Sequence, residues 1–248
     1  MLRHHRQPCR ESMPSSPATS AGRAPPRATR SPTDVCARDG AALDPRTDVG
    51  DDALPLAVMI DDAPDELVDR VDLMLHKPVG CVTALRDPRH PTAYALLRDA
   101  PLHAELRPVG RLDLDTSGLL LWTTDGPWLQ RLTHPKRALP RTYQAALARP
   151  FRSPPRDLEL DDGHRPHIEG LDTLPADDAH PALARPAEAT VLATITITGG
   201  AYHEVRRIFA ALDSHVLALC RVGFGRLQLP RELPPGGYRA IAPADVAG

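Results

Sequence analysis

An aspartate beside an arginine, set between two glycines and a run of leucines, is the part of this chain best suited to chemistry. The stretch is Gly110-Arg111-Leu112-Asp113-Leu114-Asp115-Thr116-Ser117-Gly118, followed by Leu119-Leu120-Leu121-Trp122. The apolar run reads as a buried strand. Charge at the mouth of such a strand is costly unless it is paired or hydrogen-bonded, so a guanidinium partner is expected. A carboxylate held that way stays ionised and can act as a nucleophile or a base. The same residues also suit a plain polar turn, with Asp115 and Ser117 capping backbone amides. Two sharper alternatives fail on inspection. A calcium loop opening at Asp113 needs a glutamate at its twelfth position, which here is Thr124. A phosphatase of the aspartyl-nucleophile type needs a hydrophobic strand before the acid, and Arg107-Pro108-Val109-Gly110 is not one.

Two further segments could converge on Asp113. Arg141-Thr142-Tyr143 enters a strand just after Lys136-Arg137, and its aromatic ring offers a stacking face for a nucleobase. His203-Glu204-Val205-Arg206-Arg207 opens a segment with apolar residues at 205, 208, 209 and 212, the spacing of an amphipathic helix. Val205 and Ile208 point to its core, so Arg206 lies at a flank where its fork can reach a carboxylate. Each segment also has an ordinary reading: a half-buried strand tyrosine, a solvated basic helix face, a structural histidine. Residue types alone therefore lead to a cleft holding an acid, an arginine and an aromatic.

The elements around these segments predict an α+β fold with a mostly antiparallel central sheet and flanking helices. Strands are expected over 71–76 and 81–83, along the central apolar run, over 143–147 and 190–197, and in closing segments at 217–219, 225–229 and 238–241. Short helices are expected over 92–98 and from Asp125 to His134-Pro135. Residues 152–188, rich in Pro and Asp, read as long loops around short strands.

Charge divides the 248 residues into three parts. Residues 1–33 carry a net +5 and hardly a large apolar side chain, and read as a disordered basic tail. Residues 34–69 form an acidic lead-in; residues 34–72 together carry a net −9. Residues 70–248 form the catalytic domain, with +2 over residues 73–248. Cysteines at 9, 36, 81 and 220 show no metal-binding or disulfide spacing, which fits a reducing cytoplasm. No apolar run approaches the roughly 20 residues of a membrane span, and no secretory leader is visible.

Taken together, several motifs resemble the RsuA/RluB/RluE/RluF family of ribosomal RNA pseudouridine synthases. They are Lys77-Pro78-x-Gly80, Gly110-Arg111-Leu112-Asp113-x-x-Thr116-Ser117-Gly118-Leu119-Leu120, Thr142-Tyr143, and Gly200-x-Tyr202-His203-x-Val205-Arg206-Arg207-x-Phe209-Ala210. Arg221-x-x-x-Gly225 and Pro235-Gly236-x-Tyr238-Arg239 complete the set. His90-Pro91-Thr92 and Gly126-x-Trp128 are most similar to the RsuA branch, which acts on 16S rRNA.

The resemblance implies a pseudouridine synthase catalytic fold with a central cleft and isomerisation of one rRNA uridine in place, without cofactor or metal. Asp113, not Asp115, is then the catalytic aspartate, acting by attack or by proton abstraction at the ribose or the base. Tyr143 packs on the flipped base, and Arg206 pairs with Asp113. Arg111, Lys77, Lys136, Arg137, Arg141, His203, Arg207 and Arg221 are expected to contact RNA. The partner is ribosomal RNA or a ribosome assembly intermediate, met by a monomer in the cytoplasm. A non-catalytic RNA-binding or assembly factor on the same fold is the alternative. The chain departs from the pattern in three places. Residues 34–69 hold at most a remnant of the usual S4 RNA-binding module. Arg141 stands where a lysine is usual, and Gly200-Ala201-Tyr202-His203-Glu204 replaces Gly-Arg-Tyr-His-Gln, losing an arginine and adding an acid beside the cleft.

Overall fold

The computed structural model describes residues 36–38, 41–42, 56–60 and 63–246. The expected basic tail lies outside these residues, as does part of the acidic lead-in. Within the lead-in, β1 (Cys36–Arg38), β2 (Ala41–Ala42), β3 (Leu56–Ile60) and β4 (Ala63–Leu67) pair antiparallel in the order β2-β1-β3-β4.

The rest of the chain builds a nine-stranded mixed sheet. Its strands are β5 (Asp72–Lys77), β6 (Arg107–Val109), β7 (Thr116–Thr123), β8 (Arg141–Leu147), β9 (Ile168–Thr173), β10 (Val191–Ile197), β11 (Val216–Phe224), β12 (Leu227–Gln228) and β13 (Tyr238–Ala240). The main order is β13-β5-β7-β11-β8-β10-β9, with β6 on β7 and β12 on β11. Every pairing is antiparallel except β7 with β11. The expected α+β class with a mostly antiparallel sheet is what forms.

Alternation along β5 does not mark a wet face. Leu73 and Leu75 join one core cluster while Met74 joins another on the opposite side. Both faces of β5 and β7 are covered, so Leu119, Leu120, Leu121 and Trp122 are fully buried. At about 1.5–3 kcal/mol per buried large side chain, this run anchors the sheet. The buried polar ends are satisfied: Asp72 accepts from Thr123 Oγ1 at 2.5 Å and from Arg70 Nε at 2.6 Å.

The helices are short. Residues expected as a helix over 92–98 wind one 3-10 turn, Ala93–Leu97, because Pro91 precedes it and Thr92 Oγ1 caps it by accepting from Ala95 N. Helix α1 (Gly126–Thr133) starts at Asp125, whose carboxylate accepts from Trp128 N at 2.7 Å, and ends before His134-Pro135. Helix α2 (Glu204–Ala211) buries Val205, Ile208 and Phe209. The closing strand expected over 217–219 extends to Val216–Phe224, because Cys220 and Val222 pack in the second cluster. Of residues 152–188, only β9 is strand. Among the described residues no helix is long and apolar enough to cross a membrane.

One buried histidine makes the fold acid-sensitive. His180 Nε2 donates to Leu229 O at 3.1 Å while Nδ1 accepts from Ala182 N at 3.1 Å, so the ring is neutral. Burial pushes its pKa below the usual 6.5. The unfolded chain therefore takes up this proton first, and stability must fall as pH drops below about 6.5. Urea unfolding of the wild type should show that loss, and His180→Gln should flatten the dependence over the same window. An identical slope in the variant would reject His180 as the source.

Candidate active site

The Asp113 turn is immobilised by its backbone. Four carbonyls along it are held by the 77–83 segment. Thr83 Oγ1 donates to Leu112 O at 2.9 Å, and Gly80 N donates to Leu114 O at 2.8 Å. Lys77 Nζ donates to Asp113 O at 2.9 Å and to Thr116 O at 2.7 Å, and also to Pro78 O at 3.0 Å. Thr116 N closes the turn on Asp113 O at 3.2 Å. The Asp113 carbonyl is thus held from two sides, and its carboxylate is left for other work.

Lys77, expected to contact RNA, is instead turned inward. It is completely buried, and burial lowers its pKa while the nearby charges of Cys81, Asp113 and Asp115 oppose that shift. Lys77 is the last residue of β5, and its side chain lies beneath the Asp113 turn.

Asp113 faces a cavity of about 390 Å³, within the range of small-molecule sites. β8 supplies one wall. Tyr143 is buried there, opposite Ile195 of β10 and Arg221 of β11, and its ring lines the cavity. The segment 200–206, ahead of and into α2, supplies the other wall.

Arg206 does not pair with Asp113. Its Nη2 lies 2.8 Å from Asp115 Oδ2, off the hydrogen-bond direction, and its Nη1 donates to Val216 O at 3.2 Å. The Asp113 carboxylate instead meets His203, whose Nε2 is 3.5 Å from Oδ1. The turn sends its two acids different ways: Asp115, 65% exposed, meets the helix flank, and Asp113 meets the residue ahead of the helix.

The other expected RNA contacts divide into two groups. Arg111, Lys136 and Arg137 are exposed and have no carboxylate partner among the described residues. Arg131, Lys136 and Arg137 share a basic patch with His134 beside α1. The remaining cations serve the protein itself. Arg141 donates through Nη1 to Thr198 O and Gly199 O, and burial lowers its pKa. Arg207 binds Asp161 at 2.6 Å and also Asp162, and these bonds raise its pKa. Arg221 is buried; its Nε donates to Leu119 O at 2.7 Å and its Nη2 meets no acceptor. These three are walls and braces, because each lies on a strand or helix whose partners bring carbonyls or acids within reach.

Three participants were not legible as such. Glu204 accepts from Ala201 N at 2.9 Å and from His164 Nε2 at 2.8 Å, so the acid expected beside the cleft is buried as a clasp. His164 comes from the weakly periodic 152–188 stretch and carried no signal. Tyr202, 77% exposed at the cavity lining, stood in the motif without a role. The thiol chemistry of this region is quiet: burial pushes Cys220 up to about 11. Among the described residues no group of three His, Cys, Asp or Glu side chains could hold a metal ion.

An immobilised carboxylate opening on an aromatic-lined cavity, on a mixed sheet with short helices, is the site of an enzyme that handles a flat ring. The profile of the family described as RNA pseudouridylate synthase matches residues 72–211. The chain is 34% identical over 209 residues to the ribosomal small subunit pseudouridine synthase A of Yersinia pestis, covering 83% of this chain and 80% of that protein. It is 36% identical over 178 residues to the same-named protein of Escherichia coli K12, covering 70% of this chain and 71% of the other. A crystal structure of a pseudouridylate synthase superposes with a TM-score of 0.59 at 30% identity, covering 81% of each chain. The chain belongs to the RNA pseudouridylate synthase family, in its RsuA branch, and is an RNA pseudouridine synthase.

Proposed function

We propose that this chain isomerises one uridine of small-subunit 16S ribosomal RNA to pseudouridine, with Asp113 as the acting carboxylate. The observation that carries the reading is the Asp113 turn, clamped through four carbonyls and opening on a cavity lined by Tyr143. Relatives named for the small ribosomal subunit support the choice of RNA.

The reaction breaks the bond from ribose carbon 1 to nitrogen 1 of uracil and forms one to carbon 5. Carbon 5 loses a proton and nitrogen 1 gains one. Atoms and electrons balance within a single nucleotide, so the chemistry calls for no redox cofactor. Extruding the uridine costs a few kcal/mol, which stacking on Tyr143 at about 1–3 kcal/mol offsets in large part. Asp113 engages the ribose or the base, and the Tyr143 hydroxyl assists removal of the carbon-5 proton. Arg206 acts one step removed: by engaging Asp115 it fixes α2 against the turn. Arg111, Lys136 and Arg137 meet phosphates, supplying local positive charge that the +2 over residues 73–248 does not. We further read residues 70–248 as the catalytic domain and 34–69 as a lead-in derived from an S4 module. The protein acts as a cytoplasmic monomer on rRNA or an assembly intermediate.

Mapping pseudouridines across rRNA in a strain lacking this gene tests the reading directly. One 16S position should lose its modification and regain it on complementation; an unchanged map would overturn the assignment. Within the site, Tyr143→Phe keeps the stacking ring and removes the hydroxyl. It should leave RNA affinity near wild type while slowing turnover by about 10²-fold or more, the scale of a lost proton-transfer group. Equal turnover in the two proteins would remove the hydroxyl from the mechanism.

A further inference from the structure

We propose that Tyr202 is a stacking platform for the nucleobase next to the extruded uridine, at the exposed rim of the Asp113 cavity. The inference rests on the reading of this cavity as the uridine site and adds a contact for a second nucleotide.

Tyr202 is 77% exposed, and its ring lies on that of His203 with centroids 3.8 Å apart and planes 17° from parallel. His203 in turn places Nε2 3.5 Å from Asp113 Oδ1. His203 thus meets the carboxylate through its ring edge and carries Tyr202 on its ring face. With one face stacked on His203 and 77% of the residue exposed, Tyr202 suits the end of a stack. The platform for the extruded base itself is elsewhere, since Tyr143 lies buried within the cavity.

The step is held in place at some cost. His203 adopts a left-handed backbone at φ 50°, a conformation that strains a non-glycine residue. It is maintained by Glu204, whose carboxylate is only 2% exposed. Oε2 accepts from Ala201 N and Oε1 from His164 Nε2, while Glu204 N donates to Ala201 O at 3.2 Å. A buried acid, a histidine from a distant loop and a strained residue thus combine to present two parallel rings. Preorganisation of this kind lowers the ordering cost of binding.

The neighbourhood is suited to a flat apolar group and less to a phosphate. Among the described residues, three of the four exposed large hydrophobic side chains belong to segments around the Asp113 turn: Val79, Leu114 and Tyr202. Leu114 follows Asp113 directly, and Val79 precedes Gly80, whose N–H is bonded to Leu114 O. When a base leaves its stack, its neighbour loses a partner, and an aromatic end-face replaces it regardless of sequence.

The experiment uses the full chain and the rRNA fragment that the wild-type protein modifies. Six combinations are compared by kcat/KM: wild type and Tyr202→Ala, each on the natural fragment, on a fragment abasic at the 5′ neighbour and on a fragment abasic at the 3′ neighbour. Tyr202→Ala should lose about 10- to 100-fold on natural RNA. One abasic neighbour should cost the wild type a similar factor, and the two changes together no more than about twofold beyond either alone. Tyr202→Trp, which keeps an aromatic face, should recover most of the loss. Losses that multiply at both neighbours would overturn the platform, as would a Tyr202→Ala protein indistinguishable from wild type. A wild-type protein that forms no pseudouridine in rRNA would overturn the uridine reading instead, and the control reaction reveals it first.

Discussion

Asp113→Asn is expected to lower kcat by at least about 10⁴-fold while leaving the fold intact. Losses on this scale follow when a group acting directly on the reacting atoms is removed. The substitution preserves size and removes charge. Structural damage should be slight, because the main chain of the turn is held by Lys77, Thr83 and Gly80 and not by the carboxylate. The side chain's contact with His203 joins two groups each more than a third exposed. Such a pair contributes little to stability. Asp115→Ala provides the contrast. Asp115 is 65% exposed and engages Arg206 at the cavity margin, so its removal should cost about fivefold or less, corresponding to an exposed pair worth at most ~1 kcal/mol. Single-turnover assays with thermal melts of both variants decide the matter. Comparable losses from the two, or a collapse in melting temperature at Asp113→Asn, would remove Asp113 from its role.

Gly118→Ala should be the most destabilising single-methyl change in the central sheet, at more than about 3 kcal/mol. Gly118 sits in β7 between Lys77 of β5 and Arg221 of β11, at φ +113°. A Cβ there would lie 2.2 Å from Arg221 O and 2.6 Å from Arg221 N. Both are backbone atoms of a neighbouring strand and cannot swing aside. The parallel β7–β11 pairing must open, and the Asp113 turn, which leads directly into β7 at Thr116, moves with it. Gly110→Ala is the control: its φ is +75° but nothing lies within 4 Å of the added carbon. Only backbone strain is then lost, about 1 kcal/mol. Denaturant unfolding should separate the two variants clearly; similar small losses at both would show that β11 yields easily.

Local pattern carried a good deal of this protein. The apolar run before Trp122, the alternation over Val191–Ile197 and the spacing of Val205, Ile208, Phe209 and Leu212 each produced the expected element. These signals are strong because burial of one face dictates residue type at fixed intervals. The motif order likewise pointed to the family before any coordinate was known. What local pattern misjudged was the destination of charged side chains. Lys77, Arg141, Arg207 and Arg221 looked like RNA contacts and turned out to be buried or paired within the protein.

By itself the sequence determined the family and the long buried elements β7, β10 and α2, because these depend on neighbours within a few residues. The strand expected over 81–83 does not form, and only a bridge from Val82 to Thr92 stands there. The tertiary structure alone decided that Arg206 meets Asp115, that Lys77 clamps the Asp113 turn, and that His164 clasps Glu204 across 40 residues. A cation's role is set by whichever carbonyl or carboxylate the fold carries within about 3 Å of it, and that distance is a property of packed elements, not of chain order.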